Sequence, residues 1–97
     1  MIRSFGDRRT EDLFNGINSA QARRIATKIR TAAIQKLDLI NAAISIEDLR
    51  SPPGNRLEAL TGDLRGMHSI RINNQWRIIF KWTSSGAEKV QIVDYHR

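Results

Sequence analysis

The chain contains no cysteine among its 97 residues, so it has neither disulfide bonds nor thiolate metal ligands. No apolar run approaches the ~20 residues of a membrane-spanning helix, and the N-terminal region has no apolar stretch of signal-peptide length. The two histidines are far apart, and no carboxylates cluster at metal-ligand spacing. Glycine motifs that cradle phosphate are absent, and so is a nucleophile elbow. We therefore expect a cytoplasmic protein without a metal ion or cofactor.

Acidic residues are also scarce, with 10 Asp and Glu against 16 Lys and Arg, which gives a net charge of +6. Such an excess of positive charge favours a polyanionic partner, most simply nucleic acid, through attraction to phosphate. The alternative is a solvated basic surface with no special partner. At this length, with 40% hydrophobic residues, we expect one domain over residues 1–97.

The N-terminal region reads as a short strand followed by a short helix. Residues 2–5 predict the strand. Asp7 or Thr10 is suited to cap the helix, and Gly16 is suited to end it, because glycine adopts the left-handed conformation that follows many helices.

A longer amphipathic helix of about 25 residues is predicted from Ser19. Its apolar positions recur every three or four residues: Ile25, Ile29, Ala33, Leu37, Ile40 and Ile44. Its other faces carry the basic residues Arg23, Arg24, Lys28, Arg30 and Lys36, which suit either solvent or a nucleic-acid or protein partner. A helical turn is expected at residues 45–49. Two prolines and a glycine then predict a loop at residues 51–55.

After this loop the apolar period changes from 3.6 to 2, which indicates strands. Four strands are predicted, at residues 56–60, 67–72, 76–82 and 87–95. Their short connections imply an antiparallel meander. The fold class is therefore α+β, with N-terminal helices packed on a twisted, mainly antiparallel sheet.

The middle hairpin has a register that can be read from its side chains. A three-residue loop at residues 73–75 pairs Ile70 with Ile78 on the core face, whereas a two-residue turn would mix apolar and charged residues on both faces. The same register places Arg71 directly opposite Arg77 on the outer face. Like charges opposite each other destabilise a sheet, so this pair indicates an anion site unless both side chains extend into water.

Other candidate groups lie on the neighbouring predicted strands. His68 shares the core face, so we interpret it as a packed structural histidine. Glu58 points away from the apolar side of its strand and towards the arginine face. The last strand leads into Asp94, Tyr95 and His96, and histidine can give or take a proton near neutral pH. A base, a cationic pair and an acid would then lie on adjacent strands.

Several motifs of this chain, in order, resemble the HigB toxins of the RelE superfamily. They are the segments at residues 49–60, 68–73 and 75–78, and the closing Asp94, Tyr95 and His96. The resemblance spans essentially the whole chain. It implies a compact microbial ribonuclease-like domain that cuts messenger RNA in the ribosomal decoding site. It also implies a HigA-type antitoxin, a helix-turn-helix protein that inhibits the toxin and represses their shared operon by binding operator DNA.

The resemblance also bears on individual residues. Arg77, Tyr95 and His96 match positions where the superfamily keeps its cationic stabiliser and its stacking or acid groups, and Asp94 matches HigB members. Glu58 stands where some HigB toxins have histidine and where the related YoeB toxins have a general base. Thr61 replaces a commonly found lysine, which removes one expected phosphate contact.

Chemical roles follow for these groups if the substrate is RNA, whose own 2′-hydroxyl is the nucleophile. Glu58 is then predicted to be the base, Arg77 assisted by Arg71 the stabiliser of the charged phosphorane, and His96 the acid for the departing 5′-oxygen. Tyr95 is predicted to stack on a base or orient the phosphate. The further predicted RNA contacts are Arg56, Arg71 and Lys81.

Two other classes of protein stay open. The same fold occurs in ParE toxins, which inhibit DNA gyrase and lack a nuclease site. A non-catalytic basic module that binds RNA would explain the charge but not the arrangement at the C-terminus.

Overall fold

The computed structural model describes residues 1–95 and has helices on one face of a four-stranded antiparallel sheet, which confirms the α+β prediction. The sheet order is β1-β2-β3-β4, a simple meander. The α-helices are α1 (Arg8–Phe14) and α2 (Thr27–Ala42), and the strands are β1 (Glu58–Ala59), β2 (His68–Arg71), β3 (Trp76–Thr83) and β4 (Gly86–Asp94). Short 3₁₀ turns lie at Ala22–Arg24, Ile46–Arg50, Pro53–Asn55 and Gly62–Leu64.

The boundaries of α1 follow from its caps. The Asp7 side chain accepts a hydrogen bond from the Thr10 N–H at 2.9 Å, so Asp7 is the cap and Thr10 lies inside the helix. Gly16 follows the helix with a φ of 74°, as a terminating glycine should.

The long predicted helix is wrong at both ends, because α2 has only 16 residues. Neither Ile25 nor Ala26 is helical, with ψ of 126° and 130°. The Arg30 guanidinium donates to the Ile25 carbonyl at 3.0 Å, so a side chain satisfies an acceptor that a continuous helix would have used. At the other end Ala43 is extended, which turns Ile44 into solvent at 93% exposure.

The core lies between the helices and one face of the sheet. Helix α2 contributes the apolar stripe predicted from its spacing, apart from Ile25 and Ile44, which lie outside the helix, and the strands contribute alternate residues. The apolar side chains of these elements that form the core cluster are Ile29, Ala33, Leu37, Ile40, Ile70, Ile78, Phe80, Ala87, Val90 and Ile92. Each large one contributes about 1.5–3 kcal/mol relative to exposure, so this layer determines which face of each strand turns outward.

The predicted register of the β2–β3 hairpin is confirmed. Ile70 pairs with Ile78, and Arg71 pairs with Arg77. The loop is held by Asn73, whose side-chain oxygen accepts hydrogen bonds from the backbone N–H groups of Gln75 and Trp76, both at 2.8 Å.

The other predicted strands differ mainly in length. The first is reduced to Glu58–Ala59, because Arg56 adopts a left-handed φ of 47° after a 3₁₀ turn that forms within the predicted loop. Residues 2–5 form two isolated parallel bridges with β4 rather than a full strand.

The free edge of β4 is covered by the N-terminal region. Arg3 donates its N–H to the Ala87 carbonyl at 2.7 Å, and the buried Thr10 hydroxyl accepts from the Ile92 N–H at 3.0 Å. Exposed strand edges invite pairing with other chains, and this cover prevents such pairing at β4. The outer face of the sheet stays open.

Candidate active site

The face of the sheet opposite the helices carries the predicted arginine pair and Glu58. Pairing of β1 with β2 places Glu58 beside Ser69, and pairing of β2 with β3 places Arg71 beside Arg77. Tyr95 follows β4 and donates its N–H to the Gln75 carbonyl at 2.6 Å, which holds it at the same end of the sheet. These elements enclose an open pocket of about 650 Å³. Its lining residues are Arg56, Glu58, Arg71, Asn73, Asn74, Gln75, Arg77 and Tyr95.

Arg77 is the central side chain of this pocket. Its Nη1 lies 2.9 Å from the Glu58 carboxylate and donates to the Ser69 hydroxyl at 3.2 Å. Its guanidinium carbon lies 4.7 Å from the centre of the Tyr95 ring, a cation–π distance. The Arg77 side chain is only 12% exposed, whereas that of Glu58 is 48% exposed. The arginine is therefore held on three sides, and the glutamate remains accessible.

Arg56 and Glu58 are placed by the loop that precedes β1. The Asn55 side chain is completely buried, and its Nδ2 donates to the carbonyls of Leu49 and Ser51 at 3.1 and 3.2 Å. Its Oδ1 accepts a short hydrogen bond from the Lys36 ammonium of α2. A buried amide satisfied in this way ties the loop to the helical layer and determines where the next residues emerge.

The electrostatics of the pocket favour an anion. Three arginines, Arg56, Arg71 and Arg77, line it together with one glutamate, Glu58. Arg71 also contacts the side-chain oxygen of Asn74, another residue that lines the pocket. Planar guanidinium groups suit phosphate because they donate parallel hydrogen bonds.

Three predicted site residues are not described as part of this pocket. Asp94 is exposed opposite Trp76 on the other face of the sheet, and its carboxylate accepts from the Gln75 side chain at 3.1 Å. Lys81 lies on the outer face but pairs with Glu88 beyond a β-bulge and does not line the pocket. His96 lies outside the described residues.

His68 lies on the core face, as predicted, with its ring stacked on Phe80 at 6.3 Å between centroids. It is therefore directed away from the pocket. Among residues 1–95, its buried Nδ1 has no hydrogen-bond partner.

Two polar residues that support the site were missed by sequence reasoning. Ser69 was detectable, because it alternates with the core-facing His68 and Ile70 and must share the arginine face. Asn55 carried no such signal, because a loop asparagine is ordinarily exposed and only the tertiary structure buries it.

Within residues 1–95, no helix is long and apolar enough to cross a membrane. The same part of the chain holds no group of three or more His, Asp or Glu side chains that could bind a metal ion.

The fold has a solved counterpart. The crystal structure of YafQ from Escherichia coli strain BL21(DE3) superposes with a TM-score of 0.57 at 17% identity, covering 98% of this chain and 92% of that one. This likeness shows the fold, and RelE-like toxins are the class that the sequence matches. The family model for the RelE-like toxin of the type II toxin–antitoxin system HigB matches residues 3–96, so the chain belongs to the HigB-like toxin family.

Individual relatives agree with this assignment. Toxin HigB-1 of Vibrio cholerae serotype O1 is 40% identical over 87 residues, which cover 90% of each protein. An uncharacterized protein of Haemophilus influenzae is 40% identical over 69 residues, covering 71% of this chain and 68% of the relative. The resemblance inferred from the motifs is confirmed, and membership in a type II toxin–antitoxin family implies an antitoxin partner.

Proposed function

We propose that this toxin is a ribosome-dependent endoribonuclease that cuts messenger RNA within translated codons and so inhibits translation. The observation that carries the proposal is the arrangement of Arg77 between the Glu58 carboxylate and the Tyr95 ring in an open, arginine-lined pocket. Cleavage of a phosphodiester by the neighbouring 2′-hydroxyl needs a base and a cation for the charged phosphorane, and this arrangement supplies both.

The proposed reaction uses the nucleophile within RNA. Glu58 removes the proton of a 2′-hydroxyl, the 2′-oxygen attacks the adjacent phosphorus, and His96 gives a proton to the departing 5′-oxygen. The products are a 2′,3′-cyclic phosphate and a free 5′-hydroxyl, so no water is consumed. Arg77, with Arg71 on the neighbouring strand, stabilises the charge that develops on the phosphorane.

The remaining predicted residues have binding roles in this proposal. Tyr95 stacks on an unpaired base or orients the phosphate, and Arg56 contacts the RNA backbone from the pocket wall. Lys81 contacts RNA or ribosome farther along the outer face. Asp94 acts indirectly, because its carboxylate holds the side chain of Gln75 at the pocket rim.

The partners follow from the family. We propose a HigA-like helix-turn-helix antitoxin that reaches operator DNA as part of the complex, and we propose that the toxin acts in the bacterial cytoplasm, where ribosomes are found. A site with so few acid–base groups depends on the ribosome to hold the substrate in the reactive geometry.

The test is brief expression in bacteria followed by mapping of the 5′ ends of cellular messages, beside a His96→Ala control. We expect new ends inside translated codons, reduced by ~10² or more in the control. The proposed groups act without a metal ion and use the 2′-hydroxyl of the RNA, so the new 3′ ends should carry a 2′,3′-cyclic phosphate rather than a free hydroxyl. Growth arrest with intact messages would instead indicate a gyrase-type inhibitor.

A further inference from the structure

Arg77 has two hydrogen-bond acceptors that differ in burial and in chemistry. Glu58 is charged, half-exposed, and carried by an edge strand of only two residues. Ser69 is neutral, completely buried, and carried by β2, which is paired on both sides. The same nitrogen, Nη1, contacts both acceptors.

The proposed reaction places different demands on these two acceptors. Glu58 must turn towards a 2′-hydroxyl to accept its proton, and the incoming phosphate competes with its carboxylate for Arg77. The ion pair between Glu58 and Arg77 is therefore exchanged during each reaction. Ser69 takes no part in proton transfer, so its hydrogen bond can persist while the ion pair is open.

Burial makes the Ser69 hydroxyl difficult to replace. Its side chain has no exposed surface, so water has no direct route to the position if the hydroxyl is removed. The Arg77 side chain is itself only 12% exposed, so few solvent molecules are available to hold it. A hydrogen bond from a charged donor to a buried acceptor is among the stronger kinds in proteins.

We propose that Ser69 is a positioning residue. Its hydroxyl keeps Arg77 in the pocket while the arginine exchanges the Glu58 carboxylate for the substrate phosphate. The proposal rests on the proposed nuclease function for its kinetic consequence. Its structural part concerns the free toxin alone. The two can therefore fail separately.

The structural test uses Glu58→Ala, which imitates the state in which the carboxylate has left. Rotation of the Arg77 guanidinium is followed by side-chain NMR, with its signals assigned from their loss in Arg77→Lys. We expect slow rotation in the parent and in Glu58→Ala, and fast, averaged rotation in the double variant Ser69→Ala/Glu58→Ala. Averaged rotation in Glu58→Ala alone would refute the anchoring role, and this decisive variant leaves the buried serine intact.

The kinetic test compares Ser69→Ala with the surface control Ser84→Ala on ribosome-bound message. Loss of one charge-assisted hydrogen bond should lower kcat by about tenfold or more. KM should change little, because the loss falls on the transition state. The Ser84 variant should match the parent, since this serine is exposed in the β3–β4 turn.

The outcomes separate the two ideas. A folded Ser69→Ala protein with parental kcat would contradict the proposal. So would a reduced kcat in Ser69→Ala if the Arg77 guanidinium still rotates slowly in the double variant Ser69→Ala/Glu58→Ala. A parent toxin that cuts no message on ribosomes would refute the proposed function, and the NMR comparison would still decide whether Ser69 holds Arg77.

Discussion

Replacement of Arg77 tests the roles of this side chain in catalysis and in stability. The side chain contacts Glu58 at 2.9 Å, Ser69 at 3.2 Å and the ring of Tyr95 at 4.7 Å. Arg77→Ala removes all three contacts and the positive charge at the centre of the pocket. Arg77→Lys keeps the charge but loses the planar group that stacks on the ring and donates in a fixed geometry.

The loss of stability is the sum of three contacts. The ion pair with a half-exposed carboxylate is worth about 0.2–1 kcal/mol, the cation–π contact about 0.5–2 kcal/mol, and the hydrogen bond to the buried Ser69 hydroxyl about 1–3 kcal/mol. Arg77→Ala should therefore lower the free energy of unfolding by about 2–6 kcal/mol, against a total of about 5–15 kcal/mol for a typical domain. Activity is therefore compared only for protein that urea unfolding shows to be folded.

The loss of activity is a separate effect, measured on folded toxin. Removing one preorganised donor from a developing negative charge typically costs about 10²–10³ in rate, or about 2.7–4 kcal/mol. We therefore expect a fall of that size for Arg77→Ala and an intermediate fall for Arg77→Lys. The measurement is single-turnover cleavage of ribosome-bound message, beside urea unfolding of each variant. Arg65→Ala, which changes an exposed arginine outside the pocket, is the matched control.

The reasoning would be refuted by folded Arg77→Ala toxin that cuts at the parental rate. It would also be refuted if Arg65→Ala lost as much activity as Arg77→Ala, because general positive charge rather than the pocket would then account for the effect.

Three further predictions concern stability. Asn55→Ala should lower the free energy of unfolding in urea by about 2–4 kcal/mol, because three hydrogen bonds to a fully buried amide are lost, and activity should fall as well. A loss below about 1 kcal/mol would contradict the burial argument. Thr10→Val should cost about 1–3 kcal/mol by leaving the Ile92 N–H without its acceptor, and parental stability would contradict that hydrogen bond. Hydrogen bonds from the backbone N–H groups of Ile44 and Ser45 hold the pKa of Asp48 below its ordinary value. The stabilisation is therefore present above about pH 4 and lost as the pH falls through the lowered pKa. The difference in Tm between the parent and Asp48→Asn should shrink in acid. A difference that is constant with pH would refute the assignment.

Local patterns were sufficient for much of the fold. Alternation of apolar and charged residues determined the hairpin register, because slipping Ile70 by one position against Ile78 would have exposed a whole core face. The same alternation placed Arg71 opposite Arg77. The cap at Asp7 was also readable, as one of two candidates, because capping depends on neighbours in the sequence.

The error in α2 shows where local patterns stop being sufficient. Ile25 fits the apolar stripe and is buried, yet it is not helical, because burial requires only that a side chain reach the core. Its backbone carbonyl is satisfied by Arg30 instead of by the helix. Spacing alone does not distinguish these two ways of filling one core position.

The sequence by itself determined the family, the α+β class, the faces of the strands and the residue types available for acid–base chemistry, since these depend on composition and on periods of two or 3.6 residues. Only the tertiary structure decided which groups meet. It placed Glu58, Ser69 and Tyr95 around Arg77. The physical reason is that contacts between strands far apart in the sequence depend on how the chain pairs and packs, whereas each strand's own pattern specifies only its two faces.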